Sequence, residues 1–180
     1  MTSESEEEQF NAQVGDHDQI WSIIDNALLG IGVTREVGYM DVIVSVEAAE
    51  VVAACVALRD DEESMFDYLR SITAVDNMDE GMEVVYHLYS TNKKHDLTLK
   101  VFLNNDSLEV PSVTEVWPAA NWLERETAEM FGIKFLGHPD PRNLLMPEEI
   151  TDSFPLRKDH PLAEIEVLQG EGMGYSGEDA

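Results

Sequence analysis

A chain of 180 residues that sets 37 Asp and Glu against 11 Lys and Arg, for a net charge of −26, is not built for nucleic acid or anionic lipid, because phosphate binding needs clustered cations that release counterions. Its 43% hydrophobic content supports one globular domain with tails, while a single cysteine, Cys55, can form neither an internal disulfide nor the thiolate cage of an iron–sulfur cluster or zinc ribbon. No apolar run of about 18 residues is present to cross a bilayer, and the opening MTSESEEEQF lacks the basic start and apolar stretch of a signal peptide, which predicts a soluble chain with no membrane span.

Acidic residues concentrate at both ends: Glu4, Glu6, Glu7, Glu8, Asp16 and Asp18 near the start, and Glu164, Glu166, Glu171, Glu178 and Asp179 near the finish. Residues 1–15 are therefore expected to be a disordered acidic N-terminus and residues 163–180 an acidic tail. The remaining acidity is spread over the domain. It reads either as solubility charge or as adaptation to high internal salt, where screening removes self-repulsion.

The first periodic element is DHDQIWSIIDNALLG, with Ile20, Ile23, Ile24, Ala27 and Leu28 at helical spacing and Gly30 as its stop. YMDVIVSVE alternates Val42, Val44 and Val46 and predicts a strand; EAAEVVAACVALRDD predicts an alanine-rich helix, with Cys55 as a small core residue. After the segment FDYLRSITAVDN come MEVVYHLYS and DLTLKVFL, which read as an antiparallel hairpin with Leu97, Leu99, Val101 and Leu103 on one face. SVTEVWPAANWLERETAEMFG is the longest helical pattern, with Pro118 near its first turn and Gly132 as its stop. Beyond it, prolines forbid another long helix. The fold expected is α+β: a two-layer domain over 16–137, its mixed sheet covered by helices, followed by an extended proline-rich C-terminal strap at 138–162.

Several candidate sites fail on sequence grounds. GIG at 30–32 leads from a helix towards a strand, the wrong order for a dinucleotide fingerprint, and GEGMGYSG lies in the polar tail. The histidines at 17, 87, 95, 138 and 160 form no HxxxH or HExxH pair and read as surface or turn residues. Glu124 and Glu126 point about 200° apart on a helix, so they do not flank one bond as the acid and base of a hydrolase.

Two features hold more information. On the long helix, Trp122, Leu123, Met130 and Phe131 mark an apolar side, and Glu126 lies within it; a carboxylate there must meet a cation or backbone donors. The plainer alternative is a solvated face with one edge glutamate, on which Arg125 and Glu129 make an i, i+4 pair worth roughly 0.3 kcal/mol. The strap, HPDPRNLLMPEEITDSFPLRKDHP, holds five of the seven prolines together with Arg142, Arg157 and Lys158. An extended segment cannot satisfy its own backbone, so it must lie on a surface, either its own domain or a partner. Its cations can pair with carboxylates across that seam.

The run ERETAEMFGIKFLGHPDPRNLL resembles the signature of the thirty-kilodalton subunit of NADH-quinone oxidoreductase, respiratory complex I. Glu124, Arg125 and Glu126 match its Glu-Arg-Glu opening, Glu129 its acidic position, Met130 and Phe131 its hydrophobic pair, His138 its histidine and Arg142 its basic position. The similarity runs from about residue 66 to 162 through FDYLRSITAVDN, EVVYHLYS, VPSVTEVWPAANW and PLRKDHP. Departures fall at Pro141, at Glu129, where Asp is more usual, at Ser153 and Phe154, where the family has Gly-His, and at His160, where it has Tyr.

The resemblance implies a peripheral-arm subunit without a redox centre, packed against the large quinone-site subunit and neighbouring iron–sulfur subunits at the cytoplasmic face of the membrane. The complex is expected to use NADH, FMN, iron–sulfur clusters and a quinone through other subunits, to translocate ions, and to need this chain for assembly rather than catalysis. The equivalent subunit of a membrane-bound hydrogenase, or of another quinone-reducing complex not fed by NADH, is the alternative. The signature and interface residues it implies are Glu124, Arg125, Glu126, Glu129, Phe131, Gly132, His138, Pro139, Arg142, Pro155, Leu156, Arg157, Lys158 and Asp159.

Overall fold

Alternating apolar residues make strands wherever one face can be buried, and here the clearest alternation, that of DLTLKVFL, lies at the centre of the sheet. A computed structural model describes residues 19–37, 42–147, 149–150 and 153–160; the expected acidic tails lie outside them. Helical residues 19–27 (α1) precede β1 (Val33–Val37), β2 (Val42–Val46) and α2 (Val51–Asp60). A meander of β3 (Tyr68–Asp76), β4 (Met82–Tyr89) and β5 (Asp96–Leu103) follows; β6 (Glu109–Pro111), α3 (Ala120–Phe131) and β7 (Lys134–Leu136) complete the order.

The main sheet has the order β1-β2-β5-β4-β3. β2 and β5 run parallel because α2 and the β3–β4 hairpin separate them in the chain, while the other pairs in this sheet are antiparallel. Val44, Leu99, Tyr86 and Ile72 sit in register across four strands, and all are buried. The helices supply the other side of this core: Ile24 and Leu28 at α1, Val51, Ala54, Cys55 and Leu58 on α2, Ala120 and Phe131 on α3. The neighbouring row, Ser71, His87, Thr98 and Ile43, belongs to the opposite, more polar face, where Ser71 Oγ lies 2.8 Å from His87 Nδ1. A mixed sheet with helices against one face is the α+β arrangement expected.

Four strands were not legible in advance. β3 falls in FDYLRSITAVDN, where a register irregularity between Leu69 and Ser71 breaks the two-residue period; the buried positions become Leu69, Ile72, Ala74 and Asp76. β1 is an edge strand whose middle residues are Thr34, Arg35 and Glu36. β6 and β7, of three residues each, pair in parallel across the whole of α3. The long helix also starts later than expected. Val113 to Trp117 close turns of their own, and Pro118 lies near the first turn as expected, one residue ahead of the N-cap Ala119.

Candidate functional site

On a helix, residues four apart share a face, and α3 presents Asn121, Arg125 and Glu129 in one such row. The segment from His138 to Met146 lies along it. His138 Nε2 lies 3.0 Å from the Asn121 carbonyl oxygen; Arg125 donates to the carbonyls of Arg142 (2.7 Å) and Asn143 (2.8 Å). Glu129 then accepts from three successive amides, those of Leu144 at 2.9 Å, Leu145 at 3.0 Å and Met146 at 3.2 Å. A guanidinium has only donors and a carboxylate only acceptors, so the two side chains replace a neighbouring strand for an unpaired backbone. Arg125 and Glu129 therefore serve the segment rather than forming the modest surface pair with each other.

The helix end is closed by residues still further along. Gly132 adopts φ +74° and its N–H bonds to Ala128 O at 2.8 Å. Leu156 N–H reaches Met130 O at 3.1 Å, and Arg157 Nε donates to Phe131 O at 2.6 Å while its guanidinium stacks 4.3 Å from the Phe154 ring centre. The cation thus meets the negative end of the helix dipole. Lys158 N–H bonds at 2.8 Å to Asp76, whose other oxygen takes the Met78 N–H at 2.8 Å. These donations hold the Asp76 carboxyl below its ordinary value, the Lys158 amide first among them.

Glu124 is the carboxylate in the core. It is 0% exposed, whereas Glu126 is exposed and Trp122 is 64% exposed. The expectation that Glu126 lies in the apolar stripe is therefore corrected: the buried face runs through Ala120, Glu124, Thr127 and Phe131. Trp122 misled because a tryptophan reads as core. Glu124 Oε1 accepts the Val113 N–H at 2.7 Å, and Oε2, without a hydrogen bond, lies 4.0 Å from His138 Nε2. Burial pushes the carboxyl up, opposed by the Ser112 hydroxyl, the Val113 amide and His138. Burial likewise raises the Tyr86 phenol and the Cys55 thiol, with Glu124 adding to both.

Of the surface or turn position expected for His138, the turn is what the structure shows, its N–H closing on Phe135 O at 3.4 Å, while its side chain is only 2% exposed. Its Nδ1 accepts the Asp140 N–H at 3.0 Å, which puts the ring proton on Nε2, facing Asn121 O. Arg142 pairs with Asp140 at 2.7 Å and Arg125 approaches the same carboxylate at 3.9 Å, so Asp140 is held down to about 2, chiefly by the Arg142 hydrogen bonds. Pro139, Leu156 and Asp159 are exposed, and Pro155 half-buried. Sequence reasoning missed Asp76, Asn121 and Thr127, whose hydroxyl donates to Ile72 O at 3.1 Å. Only Thr127, seven residues after Ala120, carries a periodicity signal.

A cavity of about 260 Å³ lies between α3, β7 and the bound segment, bordered by Glu124, Arg125, Glu129, His138, Asn143 and Phe154. Among the described residues no cluster of His, Cys, Asp or Glu could hold a metal ion, and no helix is long and apolar enough to cross a membrane. Arg125, Glu129 and Arg157 are engaged by backbone and Arg142 by Asp140, whereas Glu124 Oε2 has no hydrogen bond.

Residues 44–166 match the family described as respiratory-chain NADH dehydrogenase, 30 Kd subunit. The chain belongs to this family. A NADH-quinone oxidoreductase subunit of Roseiflexus castenholzii is 41% identical over 151 residues, covering 83% of this chain and 84% of that one. Its counterpart in Rhodopseudomonas palustris is 39% identical over 147 residues, 81% of this chain and 71% of the relative. Among solved structures, a trypsin-resistant fragment of Nqo5 is similar with a TM-score of 0.54 at 25% identity, over 67% of this chain and 98% of the fragment. A chain of an archaeal respiratory membrane complex, the membrane-bound sulfane sulfur reductase, shares the fold with a TM-score of 0.70 at 24% identity, over 91% and 96% of the two chains.

Proposed function

We propose that this chain is a bracing subunit of the peripheral arm of an ion-translocating NADH-quinone oxidoreductase, carrying no redox centre itself. It supports the large quinone-site subunit and neighbouring iron–sulfur subunits at the cytoplasmic face of the membrane, and NADH, FMN, the clusters and the quinone are handled by those partners. One observation carries the reading: Arg125 and Glu129 hold the backbone of 142–146 against α3, while Arg157 closes the helix end. Residues used this way shape a surface, which supports a bracing role. Segment 138–162 then forms part of the partner-binding face.

The test is purification of the tagged chain from membranes, with partners identified and donor oxidation assayed. Co-purification of the large and cluster-bearing subunits with NADH oxidation is expected; a chain that elutes alone overturns the reading. The fold shared with a chain of the sulfane sulfur reductase complex supports a second reading, the equivalent subunit of a membrane-bound hydrogenase or other complex not fed by NADH. Co-purified partners that ignore NADH and oxidise another donor favour it.

A further inference from the structure

The cations around α3 are already engaged. Arg125 is held by the carbonyls of 142 and 143, Arg142 by Asp140, and Arg157 by Phe131 O and the Phe154 ring. Arg125 and Arg157 are turned inward on backbone carbonyls, so what α3 itself shows outward is different in kind. Its exposed row carries Ala119, Trp122 and Glu126, one helical turn apart, with Glu115 exposed in the turn before the helix. Trp122 is 64% exposed, with the Glu126 carboxylate one turn further on. Two turns further along the same side, Glu129 fixes the amides of 144–146 and so presents Leu145, also 64% exposed.

A large aromatic side chain standing in water on a helix with charged neighbours fits an interface anchor, since such anchors are enriched in tryptophan, sit in desolvated pockets and are ringed by polar groups. Charge complementarity gives the chemistry of the partner. The cation next to this anchor on the helix, Arg125, is turned to the carbonyls of 142 and 143, so the charge one turn from Trp122 on its exposed row is the Glu126 carboxylate, and the facing rim must be basic. We propose that Trp122 seats in an apolar pocket of the large subunit, that Lys or Arg on the pocket rim meet Glu126 and Glu115, and that Leu145 makes a second apolar contact. This rests on the function proposed above and reassigns the interface from the strap's cations to the helix's indole and acids.

The test uses the whole complex, purified from membranes through a tag on this chain, and reads the ratio of large subunit to tagged chain after washing. Trp122→Ala is expected to lower that ratio roughly tenfold or more, as for a hot-spot residue, and Trp122→Phe to restore most of it. Glu126→Lys is expected to weaken retention at low salt, with the defect shrinking as salt screens the repulsion. Phe102→Ala, on the opposite face of the sheet and 51% exposed, should change nothing. Isolated Trp122→Ala should unfold at the wild-type temperature, which separates docking from folding. Full retention by Trp122→Ala, equal loss with Phe102→Ala, or a homodimer of the isolated chain that Trp122→Ala dissolves would each overturn the inference. If the wild-type chain itself retains no large subunit, the proposed function fails and the inference with it.

Discussion

Glu129 takes three consecutive amides of an irregular segment, an arrangement that a single carboxylate can supply because it has two oxygens and about four lone-pair directions. Glu129→Ala leaves the amides of Leu144, Leu145 and Met146 to water or to nothing, and hydrogen bonds to charged groups contribute about 1.5–3 kcal/mol each. Because the segment can open locally, the cost should appear there rather than in global stability. Hydrogen exchange of peptides spanning 142–147 is expected to speed up roughly tenfold to a hundredfold while that of β4 and β5 stays unchanged. Glu124 makes a different prediction. Burial raises its carboxyl, so its contribution to folding is fully present below the unfolded carboxylate value and is lost as pH rises through the folded value. Asp76 and Asp140 are depressed and act oppositely: their support is present above the unfolded value and is lost as pH falls. Glu124→Gln should therefore gain on the wild type as pH rises from about 4.3, and the difference between the two should level off below it; urea unfolding between about pH 4 and 8 checks this. A stability difference that does not change with pH would remove Glu124 as a titrating group. None of this was legible by hydropathy. The buried row of α3 includes a carboxyl and a hydroxyl, whereas the exposed row includes a tryptophan.

At the scale of elements, what could be read from sequence were the self-contained signals. Alternation in β4 and β5, helical spacing in α1 and α2, and Gly132 as a stop each depend on neighbours along the chain. What could not be read depends on residues distant in sequence. The irregularity in β3 is defined against β4, and β6 needs β7 from beyond a helix. The closure of α3 combines both kinds. Gly132 stood out as a helix stop, yet the reason nothing larger fits comes from residues far downstream: a β-carbon there would collide with Arg157 Nη2 and lie 2.9 Å from the Phe154 ring. Gly132→Ala thus meets two penalties, a left-handed φ of +74° costing about 1 kcal/mol, and displacement of the Phe154–Arg157 closure. The expected loss is about 1–3 kcal/mol in chemical unfolding, with faster exchange at 154–158. Arg157→Ala, which removes only the closure, should give the smaller loss; the reverse order would mean that the backbone conformation is unstrained.

At the scale of the whole molecule, charge is the dominant feature, and it sets two effects of salt against each other. Screening weakens the ion pairs, among them Arg35 with Asp25, Lys134 with Glu109 and Arg142 with Asp140. It also weakens repulsion among the unmatched carboxylates of a chain at −26. The pairs are largely exposed: Lys134 and Arg142 keep 69% and 67% of their side-chain surface in water, and such pairs contribute about 0–1 kcal/mol. Repulsion is summed over every unmatched acid and reaches across about 10 Å at 0.1 M salt but only about 3 Å at 1 M. The second effect should win, so the folded state becomes more stable as salt rises, because the compact chain holds its carboxylates closer together than the unfolded one does. Thermal unfolding of the chain is expected to shift upward by roughly 5 °C between about 0.05 M and 1 M KCl, equivalent to about 1–2 kcal/mol for a domain of this size. Sodium and potassium chloride should act alike, since screening depends on ionic strength. A midpoint that falls with salt would mean that the ion pairs outweigh the repulsion, and that the acidity is solubility charge carried without a demand for salt.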